Sequence, residues 1–268
     1  MSSPTSSALA VLGSLTASTL SAWRGSIVLV AATQPEKPLR LYEFEACPYC
    51  RRVREVLTAL HLDCEIRPCP KGGTRFRSEA IALGKKRQFP LFIDENTNVM
   101  LYESKDIVAY LFRTYAKMDV PSTYRTPLLP LFGGLSSGVR LGRGARAQKS
   151  HVPALPLHLW SFESSPFSRL VRERLCELEL PYTVHNLGKE HWKEAGPATR
   201  RILPNPYVPK EGGKRYQFWQ THGRVQVPYL EDPNTGAALF ESATILDYLD
   251  RTYAAPAHST SGATAQAE

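Results

Sequence analysis

The strongest constraint on the fold is that this chain contains one unit twice. An apolar run, Leu39-Arg40-Leu41-Tyr42-Glu43-Phe44, leads into Cys47-Pro48-Tyr49-Cys50. The same frame returns 118 residues on, where Leu157-His158-Leu159-Trp160-Ser161-Phe162 leads into Ser165-Pro166-Phe167-Ser168. Val53, Val56, Leu57 and Leu60 follow at helical i, i+3, i+4, i+7 spacing, and their counterparts are Val171, Arg174, Leu175 and Leu178. Second strands are expected at Leu62–Arg67 and Leu180–His185. Beyond them the offset changes to 138: Gln88-Phe89-Pro90 matches Gln226-Val227-Pro228, and Tyr102-Glu103-Ser104 matches Phe240-Glu241-Ser242. Asp94-Glu95-Asn96-Thr97 and Asp232-Pro233-Asn234-Thr235 both read as hairpin turns. Helices close the units at Asp106–Ala116 and Thr244–Ala254.

Each unit therefore reads strand, helix, strand, helix, strand, turn, strand, helix. The first half is a right-handed crossover with a parallel pair, and the second half is a hairpin backed by a helix. The expected fold class is α/β, with two tandem domains built on mixed four-stranded sheets. The expected layout is a leader or apolar helix at 1–37, a first domain at 38–116, a connector at 117–155, a second domain at 156–254 and a tail at 255–268. The extra residues of the second unit are placed at about 204–222.

One copy of the motif carries two thiols and the other two hydroxyls. Cys47 belongs at a helix N-terminus, where unpaired N–H groups and the helix dipole favour a thiolate. Pro48 suits the first helical turn because its missing N–H costs nothing there. Arg51, Arg52 and Arg54 are expected to add positive potential, and Cys50, one turn in, can resolve a mixed disulfide. Zinc is the competing use of Cys-x-x-C, but no second such pair exists and no metal is expected. An inert pair of core cysteines is the other alternative. Five cysteines in all, an odd number with Cys64, Cys69 and Cys176 beside the pair, do not form a secreted disulfide framework and fit a reducing compartment. Cys64 and Cys176 read as core residues; Cys69 reads as core or as a third redox thiol.

The net charge of +8 favours anionic partners. Arg67, Lys71, Arg75, Arg77, Lys85, Lys86 and Arg87 crowd the stretch before Pro90, as a basic rim for a carboxylate or an acidic protein, or simply as a solvated face. Nothing resembles a nucleic-acid motif. The longest apolar run, Ile27–Ala32, is far short of the roughly 20 residues of a membrane span; peripheral membrane association remains open. Residues 1–35 are Ser-rich and free of acids, as organelle transit peptides are, which suggests a chloroplast protein, with the cytoplasm as the alternative. The same residues also suit a helix with an apolar stripe at Leu12, Leu15, Leu20 and Trp23, and Leu128–Arg146 is a comparable segment ahead of the second unit.

Cys47-Pro48-Tyr49-Cys50 resembles the dithiol motif of glutaredoxins, and the unit as a whole resembles the thioredoxin fold in its glutaredoxin and glutathione S-transferase N-terminal form. The second unit, from Ser165, is similar to the start of tau-class glutathione transferases. The tandem arrangement resembles paired transferase N-terminal domains related to the prostaglandin E synthase type 2 group. The resemblance covers roughly 38–116 and 156–254. It implies glutathione as co-substrate, a cis bond before Pro90, and contacts from Tyr49, Phe89, Pro90, Glu103 and Ser104, although Ser104 also reads as a plain helix cap. The corresponding second pocket is Ser165, Val227, Pro228, Glu241 and Ser242. It further implies disulfide reduction or deglutathionylation through Cys47, on disulfide-bearing or glutathionylated proteins. A non-catalytic scaffold, and a transferase using Ser165, are the alternatives. The helical domain that completes full transferases has no counterpart here.

Overall fold

The computed structural model describes residues 11–16, 18–19, 23–125, 142–191, 194 and 209–255. The first ten residues, Leu20, most of the Leu128–Arg146 segment, the start of the expected insert and nearly all of the tail lie outside the described residues.

Each repeat builds the expected mixed four-stranded sheet. In the first, β1 (Arg40–Glu43) lies parallel to β2 (Cys64–Pro68) and antiparallel to β3 (Leu91–Asp94), which pairs with β4 (Val99–Leu101). In the second, β5 (Leu157–Ser161), β6 (Tyr182–Asn186), β7 (Tyr229–Asp232) and β8 (Ala237–Phe240) repeat the pattern. The two sheets are not separate. β2 and β6 pair antiparallel, Cys64 opposite Val184, Glu65 opposite Thr183 and Ile66 opposite Tyr182, so one eight-stranded sheet runs β4-β3-β1-β2-β6-β5-β7-β8. Because Cys64 and Ile66 correspond to Tyr182 and Val184, this register has two-fold symmetry about the Glu65–Thr183 pair. Two strands that would each expose a row of unpaired N–H and C=O groups thereby cover one another.

The motif helices, Pro48–Ala59 and Pro166–Glu177, and the closing helices, Ser104–Tyr115 and Ser242–Tyr253, pack on one sheet face. Alternate strand residues (Leu39, Leu41, Ile66, Leu157, Leu159, Val184) meet Val53, Leu57, Val171, Leu175, Ile107 and Ile245 in a single core shared by both repeats. Smaller apolar clusters lie under Phe76–Gly84 and Lys214–His222 on the other face. Those two helices stand at the 138 offset, so the change of register falls before Lys214 rather than across 204–222. A helix was expected here, but the weak apolar periodicity of Lys214–His222 hid its position in the sequence.

The N-terminal segment also departs from expectation. Residues 11–16 are helical, but Leu12 is 60% and Trp23 42% exposed, whereas Ser14 and Ser18 are fully buried. Hydroxyls, not the apolar stripe, make its packing face. Ser14 Oγ donates to Pro166 O at 2.7 Å and Ser18 Oγ to Ser164 O at 2.8 Å. The chain then bridges both repeats: Val28 N bonds Lys189 O and Leu29 N bonds Ala59 O. The connector mirrors it, with Lys71 N on Ala145 O and Gln148 N on Glu177 O.

Candidate functional site: a dithiol and its serine counterpart

Cys47 is the N-cap of its helix, in extended backbone (φ −77°, ψ 120°), with Pro48 next. The cap role aims its sulfur along the helix axis. The Cys50 N–H donates to Cys47 Sγ at 3.2 Å, which answers one of the orphan donors of the first turn. A hydrogen bond from the Cys50 side chain lowers the Cys47 thiol below its ordinary range; burial opposes this, and the Cys50 N–H adds to it. Cys50 is driven the other way, well up, by burial first and then by its bond to Cys47. The pair is thus an acidic thiol over a reluctant one. The flanking arginines do not supply the effect. Arg51 pairs with Glu55 at 3.0 Å, Arg52 donates to Tyr124 O at 2.7 Å, and Arg54 turns into the interior.

Cys47 is only 4% exposed and Cys50 is fully buried, whereas Tyr49 between them is 50% exposed. An open thiol at a pocket mouth is therefore not what the fold presents: the sulfur that serves as a helix cap faces inward onto N–H groups, and the tyrosine carries the motif's surface.

The peptide bond before Pro90 is cis, as the resemblance implies, and so is the bond before Pro228. Phe89 is held edge-on by Phe44 (6.3 Å between centroids) and covered by the Arg77 guanidinium (4.9 Å). Glu103 precedes the helix that Ser104 opens, so Ser104 is the first helical residue and not the cap. Glu103 has φ +63° and Glu241 φ +69°, a left-handed conformation that costs a non-glycine residue about 1–3 kcal/mol. In both repeats the side chain is held by the glutamine two residues before the cis-proline, Gln88 on Glu103 and Gln226 on Glu241. The sequence matched these glutamines at the 138 offset but gave no sign that they hold Glu103 and Glu241.

The basic rim divides. Arg67 is paired with Glu65 at 2.5 Å, and Arg75 donates to Leu178 O, Glu179 O and Ser150 O, which makes it an inter-repeat clamp. Lys85, Lys86 and Arg87 remain on the exposed surface beside Pro90, with Lys86 over the Tyr102 ring. Cys64, Cys69 and Cys176 are buried, and burial raises each thiol. Among the described residues no group of His, Cys, Asp and Glu can hold a metal.

In the second repeat Ser165 is the cap (φ −61°, ψ 116°), and its Oγ accepts from Ser168 N at 3.3 Å and Ser168 Oγ at 2.9 Å. Ser165 is 2% exposed, and the N-terminal helix is bonded to the carbonyls on either side of it. Arg169 Nη1 closes the contact by donating to Ser14 O at 3.1 Å. Val227, Pro228, Glu241 and Ser242 stand at the 138 offset from Phe89, Pro90, Glu103 and Ser104 and repeat their cis bond, positive φ and helix start.

A family model described as glutathione S-transferase, N-terminal domain, matches residues 41–119 and again 159–257. No curated protein matches the chain. Among solved structures the chain is similar to the one titled "Leishmania TDR1 - a unique trimeric glutathione transferase", at 13% identity and a TM-score of 0.25, over 82% of this chain and 68% of that one.

Proposed function

The chain belongs to the glutathione S-transferase N-terminal domain family, carrying that domain twice, and from this premise we propose that it is a glutathione-dependent thiol–disulfide oxidoreductase of glutaredoxin type. Cys47 is the nucleophile and Cys50 the resolving thiol. The observation that carries the reading is the placement of Cys47 as helix N-cap, its sulfur accepting the Cys50 N–H at 3.2 Å, with Cys50 fully buried behind it; in that setting the Cys47 thiol is lowered and the Cys50 thiol raised. The thiolate is the attacking species, so the lowered member starts the exchange and the raised member stays protonated until it is needed. Phe89, Pro90, Glu103 and Ser104 would hold the tripeptide, with its γ-glutamyl carboxylate at the N-terminus of Ser104–Tyr115. Lys85, Lys86 and Arg87 favour an acidic protein as the disulfide-bearing or glutathionylated substrate.

The 4% exposure of Cys47 favours a second reading, a glutathione-binding scaffold without turnover. Transferase chemistry through Ser165 has less support, because that hydroxyl is covered and occupied. Assay of a glutathionylated peptide with wild type, Cys47→Ser and Cys50→Ser decides among them. Cys47→Ser should abolish turnover. Cys50→Ser should keep deglutathionylation and lose reduction of protein disulfides. Equal activity in wild type and Cys47→Ser would end the redox reading, and tight glutathione binding without turnover would establish the scaffold.

A further inference from the structure

A strap from ahead of the first repeat, described at residues 11–16, 18–19 and 23–26, lies across the start of the second repeat's motif helix. Ser14 Oγ donates to Pro166 O at 2.7 Å and Ser18 Oγ to Ser164 O at 2.8 Å, on either side of the covered Ser165. Ser26 Oγ bonds Ser164 Oγ, and Ser164 N donates to Gly25 O at 3.3 Å. No described residue before Val30 belongs to an apolar core. Hydrogen bonds hold the strap, and each is a modest net contribution because both partners turn to water when they separate. A segment with few buried apolar contacts can open without unfolding the domain beneath it.

Under the strap stands an unmatched cation. The other buried guanidiniums of this region belong to an ionic network: Arg54 holds Glu43, Glu45 and Glu163, Arg172 holds Glu45 and Glu163, and Arg51 holds Glu55. Arg169 takes in the second repeat the place of Arg51 in the first, at the 118 offset. It is 3% exposed, and among the described residues it makes no ion pair. Its Nη1 donates to Ser14 O at 3.1 Å, so the side chain reaches to where Ser14 meets the first helical residue, Pro166. Its Nη2 is buried without a partner. Burial, then Arg51 and Arg172, push this guanidinium down to about 9, although Glu163 and Glu45 favour its charge. A fork of donors offered one carbonyl is half satisfied; a carboxylate fits it with two parallel bonds.

We propose that Arg169, at the start of the second motif helix, anchors a second ligand site, which takes a carboxylate-bearing small molecule and which the N-terminal strap shuts by setting the Ser14 carbonyl in the carboxylate's place. Strap and ligand exclude one another. The ligand gains in the open state an ion pair that the closed state withholds, and that differential contact is what shifts the balance. The positive end of the helix favours the same charge. A singly charged carboxylate suits the site better than a phosphate, because Glu163 and Glu45 also face Arg169 and oppose a second negative charge. The dithiol takes no part in this equilibrium.

The test is hydrogen–deuterium exchange of the strap amides in the full-length chain carrying Cys47→Ser, which prevents mixed disulfides, with glutathione or glutamate added. Exchange should quicken when a carboxylate is added. Quickening by glutathione alone identifies a tripeptide site, and quickening by both probes a general carboxylate site. Arg169→Met removes the charge at similar length and should abolish the response to both probes; were Arg169 only a packing residue, the response would survive. Ser14→Ala combined with Ser18→Ala removes both hydroxyl bonds and should lower the glutathione concentration at half response roughly 10-fold, because closure competes less. If Arg169→Met does not fold, this double variant carries the test. Strap exchange that ignores both probes, or a response unchanged in both sets of variants, would overturn the proposal. If the strap ignores glutathione while the chain with Cys47 intact still turns it over, the second site falls and the redox reading stands.

Discussion

Single residues set the chemistry through what they cap and what surrounds them. Asp94 shows this away from the dithiol. It accepts from Tyr110 Oη at 2.6 Å, from Tyr115 Oη, and from both nitrogens of Asn96, while Asp232 repeats the arrangement with Tyr248, Tyr253 and Asn234. Burial opposes ionisation, but the tyrosine and asparagine bonds hold both carboxyls below their ordinary value. A depressed folded-state value gives stability that is complete above the unfolded value of about 4 and is lost as pH falls through the folded one. Asp94→Asn should therefore cost about 1.5–3 kcal/mol near neutral pH, and the gap to wild type should narrow in acid. Urea denaturation at several pH values reads this; a gap independent of pH would contradict it. The turn Asp94-Glu95-Asn96-Thr97 was legible in the sequence as a hairpin. Its tyrosine clamp was not, because Tyr110 and Tyr115 reach it from a helix whose docking no local pattern specifies.

Among the elements, the segments ahead of each repeat are the informative ones. Gly25 (φ +73°) and Gly144 (φ +71°) occupy matching places, each pressed against a buried glutamate of the ionic network. A Cβ on Gly25 would lie 2.7 Å from Glu163 Cβ, and one on Gly144 2.9 Å from Glu45 Cβ. Both glycines are needed twice over, for the left-handed backbone and for the close approach. Gly25→Ala and Gly144→Ala should each lower stability by about 1–3 kcal/mol, visible as a lower thermal midpoint, and Gly25→Ala should also raise the exposure of Ser165 by loosening the N-terminal helix. An unchanged midpoint in Gly25→Ala would show that this segment does not belong to the folding unit. The sequence pointed to Leu12 and Trp23 as the packing face because apolar spacing is the usual signal. Here the partners are backbone carbonyls at the start of another helix, which hydroxyls satisfy and leucines do not.

At the scale of the whole molecule, the two repeats share one sheet and one core. The sheet is continuous through β2 and β6, the apolar core crosses that junction, and reciprocal ion pairs Arg54–Glu163 and Arg172–Glu45 cross it again. A buried pair broken on one side leaves an uncompensated charge, so Arg172→Met should cost about 3–5 kcal/mol and should destabilise both repeats together. Fluorescence and circular dichroism should report one coincident transition in wild type and variant alike; two resolved transitions would show that the repeats are independent. The two expected four-stranded sheets join into one because each offers an apolar edge strand in a self-matching register, a property of two surfaces meeting and not of either strand alone.

The amino-acid sequence determined by itself what depends on a few neighbouring residues. That covers the duplicated unit, the order of strands and helices, the thiol and hydroxyl motifs at helix starts, and the Gln-x-Pro and Glu-Ser pairs that border them. Strand alternation, helical spacing and capping chemistry all act within a turn or two of chain. Tertiary structure alone decided the fused sheet, the inward-facing Cys47, the covering of Ser165 and the buried ion pairs that join the repeats. Glu45 and Glu163, and Arg54 and Arg172, stand in the sequence at the same 118 offset as the motif. Their meeting was still invisible there, because a charge's partners and its burial are set by residues from the opposite repeat that the fold carries across more than a hundred positions.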